Sequence, residues 1–157
     1  YYQEASLILQ QVAAMDYSPK FFGCDGLDGI LAVENFDLSL AKGVMLLTPF
    51  AADAQDDLTQ KFVTSYQEKY GEVPNQFAAD TYDAMYIIKA AAEKANVTPD
   101  MSVSDICDAM KTAMTEISYD GLTGTGMTWS ADGEPSKAPK AVVIDIAEDG
   151  TGSYKAM

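Results

Sequence analysis

Residues 20–31, KFFGCDGLDGIL, run from a short apolar segment into a loop that sets two acids, Asp25 and Asp28, among three glycines. KFFGC reads as a short buried strand with Phe21 and Phe22 in its core, and DGLDG as the loop at its carboxyl end. A second continuous apolar run, GVMLLTP at 43–49, reads as another strand, closed by Pro49. Between them, residues 27–42 read as short helical turns. Upstream, Ala5, Ile8, Leu9 and Val12 fall at helical spacing and predict a helix over 2–14, which MDYSP at 15–19 breaks.

Downstream the pattern turns helical. Asp53 is the expected N-cap of a helix striped by Leu58, Phe62, Val63 and Tyr66 and stopped by Gly71. Asn75 is placed to cap a further helix over 76–94. Its residues are apolar on more than one face, which predicts deep packing, with Tyr82, Met85 and Tyr86 as core. Ser102 or Ser104 caps a helix at about 102–114. GLTGTGMTWS at 121–130 alternates, with Trp129 as packing. ADGE marks a turn, and KAVVIDIAEDG at 140–150 reads as a strand ending in another turn. Strands alternating with helices predict a layered α/β fold with a largely parallel sheet, and ligands in such sheets sit beyond the carboxyl ends of the strands. The Asp25 loop occupies that kind of position.

Bulk properties exclude several functions. The net charge of −14 repels phosphate backbones and argues against nucleic acid as a partner. There is no histidine, which removes Ser-His-Asp and Cys-His nucleophile systems and the commonest metal ligand. Cys24 and Cys107 form no CxxC motif; a single disulfide between them is one reading, and two buried free thiols are the favoured one. No apolar run approaches the roughly 20 residues of a membrane span. The chain opens inside a helical pattern, so a piece of a longer protein is expected.

Several chemistries compete for the loop. Its glycines are spaced G-x-x-G-x-x-G, not as the dinucleotide fingerprint requires, and an acid inside would repel pyrophosphate. No phosphate-binding GK[ST] motif occurs. Asp25 and Asp28 form a carboxylate pair of the kind used on sugars, although residues three apart on a loop need not converge. Asp25 is also suited to a ligand ammonium group, with Gly26 allowing close approach to the backbone. Finally, Asp before Gly commonly does no more than shape a turn.

A resemblance favours the ammonium reading. YYQEASLILQQ, FFGCDGLDG, GVMLLTPF, FVTSYQEKYGEVPNQFAADTYDAMYIIKAAAEKA and GLTGTGMTWSADGEPSKAPKAVVIDI fall in the order seen in branched-chain amino-acid-binding proteins. These are the type I substrate-binding proteins of ABC transporters, the Leu/Ile/Val-binding family. The whole chain resembles the C-terminal half of that family. The resemblance implies a Rossmann-like, three-layer α/β fold, the C-terminal portion of a type I periplasmic binding protein. Residues of about 1–49 and 140–157 would belong to the second lobe, and about 50–139 would pack on the first.

Carried over to this sequence, the family's ligand contacts imply that Asp25 binds the α-ammonium group of a small amino acid. Tyr1 would line the cleft with Tyr2 adjacent, Gly26 would flank the acid, and Phe77 would border the ligand. The implied role is capture of a branched-chain or other small amino acid and delivery to a membrane permease, without catalysis, cofactor or metal. The location would be periplasmic, or the cell surface as a lipoprotein. The same fold also serves ligand-sensing receptor and amide-responsive regulatory modules. The isolated half is expected to self-associate through apolar surface.

Overall fold

The computed structural model describes residues 1–15 and 17–157. Asp16, part of the break read at 15–19, lies outside the described residues. The chain forms two compact units, one made of Tyr1–Ala51 with Pro139–Met157 and the other of Ala52–Ala138.

The first unit holds helix α1 (Tyr2–Ala14) and strands β1 (Phe22–Gly23), β2 (Met45–Thr48), β3 (Lys140–Ile146) and β4 (Gly152–Ala156). Short 3-10 turns at Ile30–Ala32 and Leu38–Ala41 lie in the stretch read as helical turns, and a further one, Asp25–Leu27, lies in the glycine-rich loop. The sheet order is β1-β2-β3-β4. Only β1 and β2 run parallel; β2–β3 and β3–β4 are antiparallel, so the sheet is mixed, not largely parallel. The reason is local. GVMLLTP pairs with β3, and the turn Ala147–Thr151 folds β4 straight back onto β3, with Gly150 at φ +86°.

Leu46 and Val142 are register partners and both buried, and Ile144 is buried beside them. With Leu9, Ile30, Phe36, Ala41 and Val44 they form the core of this unit. Helix α1 turns Ser6 and Leu9 inward, whereas Ile8, expected on the buried face, is exposed. Alternation along the strand sends Phe21 to the core and leaves Phe22 62% exposed on the opposite side, so Phe22 is not strand core.

The second unit contains α2 (Asp57–Tyr70), α3 (Gln76–Lys94) and α4 (Val103–Met114). Asp56, not Asp53, caps α2, accepting a hydrogen bond from the Thr59 amide at 2.9 Å. That bond holds the Asp56 carboxyl below its ordinary range. Gly71 ends the helix at φ +78°, where residues with a Cβ are strained. Asn75 and Ser102 cap α3 and α4 through the amides of Ala78 and Asp105.

Helix α3 departs from the expected deep packing. It buries Gln76, Ala79, Asp83 and Ala91, while Met85 is 64% and Tyr86 47% exposed; these two are not core. Leu58 on α2 is also exposed. GLTGTGMTWS forms no strand; isolated bridges join Tyr119 to Met127 and Trp129 to Pro135. Both cysteines are free as expected, but exposed, not buried.

Asp83 holds this irregular segment. Its carboxylate is 2% exposed and accepts from the Leu122 and Thr123 amides and the Thr123 hydroxyl at 2.9, 2.8 and 2.7 Å. A Cβ on Gly121 would lie 2.5 Å from its Oδ1, so the backbone approach needs glycine. Asp83→Asn should destabilise the unit by about 2–4 kcal/mol, because it turns amide hydrogens toward buried donors. Urea denaturation measures this, and Gly121→Ala should lower the midpoint in the same direction.

Candidate functional site

Parallel pairing of β1 and β2 brings their carboxyl ends to one side of the sheet. The glycine-rich loop emerges there. Gly23 leaves the space that Leu27 occupies, since a Cβ there would stand 2.2 Å from Leu27 Cδ1. Leu27 therefore folds back over the strand end and the chain tightens into the Asp25–Leu27 turn. The Leu27 amide donates to the Cys24 carbonyl at 3.1 Å, and the Asp28 amide to the Asp25 carbonyl at 2.9 Å. Gly29 follows at φ +104°.

Asp25 opens this turn and is exposed, more so than a partly shielded carboxylate. Gly26 runs beside the Tyr1 ring; a Cβ there would lie 3.5 Å from Tyr1 Cδ1, an ordinary contact. Tyr1 itself is 80% exposed. Tyr2 is half-buried and packs on the apolar core. Gly26, next in sequence to Asp25, is thus a neighbour of Tyr1, while Tyr2 turns to the core.

Phe77 belongs to the second unit, in the first turn of α3, and is half-buried. It lines a groove of about 770 Å³ between α2 and α3 with Phe62, Tyr66, Tyr82 and Met85. Ring contacts run along this groove, Tyr66 to Phe62 at 5.9 Å, Phe62 to Tyr82 at 5.1 Å and Tyr82 to Tyr86 at 4.8 Å.

The two loop carboxylates do not act as a pair of equals. Asp25 is exposed whereas Asp28 is 3% exposed. Asp28 is bonded to the Tyr154 hydroxyl and lies 3.5 Å from Thr48 Oγ1. The Tyr154 hydroxyl also accepts from the Gly29 amide at 3.4 Å. Thr48 and Tyr154 escaped the sequence reading. TGSYKA looks polar, and its strand signal is the bare alternation of Gly152 and Tyr154 inward against Ser153 and Lys155 outward. Among the described residues no cluster of His, Cys, Asp and Glu could hold a metal ion. No helix there is long and apolar enough to cross a membrane.

Residues 2–151 match a family model described as periplasmic binding protein. Several solved structures share the fold. A leucine-binding protein, LivK, from Thermotoga maritima superposes with a TM-score of 0.74 at 22% identity, over 99% of this chain and 42% of its own. LivJ from Streptococcus pneumoniae, solved with isoleucine, gives 0.70 at 21% identity, over 100% of this chain and 43% of its own. A solute-binding protein from R. palustris, solved with benzoate, gives 0.73 at 19% identity, over 97% and 39%. The chain therefore spans about two fifths of the length of these proteins. Curated protein sequences returned no significant match.

Burial, then the neighbouring Asp28 charge, pushes the Tyr154 phenol well above its ordinary value of 10.0. A raised value in the fold means that folding favours the neutral phenol. Its contribution to stability is complete below pH 10 and is lost as pH rises beyond it. The difference in phenolate absorbance between the parent and Tyr154→Phe should appear only in the last stage of an alkaline titration, and Asp28→Asn should move it to lower pH.

Proposed function

The chain belongs to the periplasmic binding protein family, and from that premise we propose that it is the C-terminal portion of an extracytoplasmic solute-binding protein of an ABC transporter. The ligand is a branched-chain or other small amino acid. The observation that carries this reading is Asp25, an exposed carboxylate at the carboxyl ends of a parallel strand pair, flanked by Gly26 and the Tyr1 ring. A carboxylate there suits a ligand cation, and Gly26 leaves the backbone open to approach. Tyr1 covers the ligand on one side, supported by Tyr2. The role is capture and release, with no bond made or broken in the ligand.

The same fold accommodates benzoate in the R. palustris protein, so fold alone does not choose between an amino acid and a simple carboxylate. Asp25 favours the amino acid, because a negative side chain attracts an ammonium group and repels a lone anion.

In this reading residues of about 1–49 and 140–157 belong to the second lobe of a longer protein, and those of about 50–139 pack on its first lobe. The exposed Met85, Tyr86 and Ile88 of α3 supply apolar surface for that packing. A ligand gripped by both lobes shifts the open–closed balance through its differential contacts, and the closed form docks on the membrane permease.

Calorimetric titration of the full natural gene product tests the ligand class. Leucine, isoleucine or valine should bind and benzoate should not. Asp25→Asn should weaken amino-acid binding by about 10–100-fold, the worth of a charge-assisted hydrogen bond. Parental affinity in that variant would count decisively against the reading. Residues 1–157 alone should bind poorly and self-associate, so light scattering should give a mass that rises with concentration; a constant monomer mass would contradict the packing role of α3.

A further inference from the structure

Asp28 is withdrawn from water three residues from an exposed acid of the same type. A buried carboxylate is stable only when donors surround it. Two hydroxyl donors reach it from other strands, Tyr154 from β4 and Thr48 from the carboxyl end of β2. The Thr48 hydroxyl has one proton, lies 3.1 Å from the Phe50 carbonyl and 3.5 Å from Asp28, and accepts from the Phe50 amide at 3.3 Å. The Tyr154 hydroxyl meets the loop twice, bonded to Asp28 and accepting from the Gly29 amide at 3.4 Å.

The segment so held is soft by composition. Gly26 lies within the Asp25–Leu27 turn, and Gly29, at φ +104°, follows Asp28. Two glycines in five residues leave the backbone many conformations unless a side chain anchors it. Asp28 is that anchor, and its amide bonds directly to the Asp25 carbonyl. Movement of Asp28 would carry the Asp25 peptide with it.

We propose that Asp28 is a positioning residue for Asp25: clamped by Tyr154 and Thr48, it fixes the Asp25–Leu27 turn so that the Asp25 carboxylate meets the ligand's ammonium group. The proposal rests on the reading of Asp25 as the ammonium site. It also separates the two loop acids by task, one contacting ligand and the other contacting only protein.

The test is a thermodynamic cycle in the full natural gene product, using whichever of leucine, isoleucine and valine gives the largest heat. Asp28→Asn removes the charge and one acceptor while keeping the shape, and Tyr154→Phe removes only the hydroxyl clamp while keeping the ring in its place. Each should raise Kd about tenfold in the parent, and by less than about twofold once Asp25→Asn is present. A residue that merely supports the fold would give the same loss in both backgrounds, alongside a lowered melting temperature. If Asp28→Asn does not fold, Tyr154→Phe alone decides between these results.

Unchanged affinity in the single variants, or equal losses with and without Asp25, would overturn the positioning role and leave the ammonium site standing. Parental affinity in Asp25→Asn, or a parent that binds none of the three amino acids, would overturn the ammonium reading and the positioning role together.

Discussion

The parallel pairing of β1 with β2 is the constraint on which the loop depends. It spans only Phe22 with Met45 and Gly23 with Leu46. Reversing either strand would send the glycine-rich segment to the other end of the sheet, away from Thr48. With the observed direction, the chain leaving β1 turns immediately beside the chain leaving β2. Gly23 then admits Leu27, Leu27 closes the turn, and the turn fixes which way Asp25 and Asp28 point. The antiparallel strands β3 and β4 complete the core from the other side and deliver Tyr154 beneath the loop.

Electrostatics divides the acids more sharply than composition suggests. A chain with 24 acids and 10 bases carries most of its charge on its surface, where water screens it. Asp28 and Asp83 are exceptions, each almost fully buried. Both are satisfied by hydrogen bonds from parts of the chain distant in sequence. Asp83 binds the backbone of the Leu122–Thr123 loop, and Asp28, at the end of the Asp25 turn, binds the hydroxyls of Thr48 on β2 and Tyr154 on β4. In each unit a buried carboxylate gives order to an irregular stretch that hydrophobic packing alone would leave loose.

The sequence was legible where local chemistry decides the outcome. The caps Asn75, Ser102 and Gly71, the 76–94 helix and the final long strand follow from residues within a turn of each boundary. It was less legible where partners lie far apart. The direction of β3 against β2, the exposure of Met85 and Tyr86, and the link from Asp28 to Tyr154 all depend on what arrives from elsewhere in the chain. Asp53 and Asp56 illustrate the limit at short range. Both are acids ahead of the same helix, and only the placement of the Thr59 amide selects Asp56. Asp25 was singled out as the loop acid by its strand-end setting and by the resemblance together.

The division of the first unit into two stretches of sequence governs how it can form. Met45 pairs with Val143, so β2 finds this neighbour only after all of Ala52–Ala138 has been synthesised. Until then α1, β1 and β2 have an unfinished sheet with Leu46 uncovered on one flank, while all of Ala52–Ala138 is already available to collapse. Pairing across such a separation is slow relative to helix formation. The nascent molecule therefore passes through an interval in which its apolar strand edge is open to other chains, and a holding chaperone would act on that interval and not on the finished sheet.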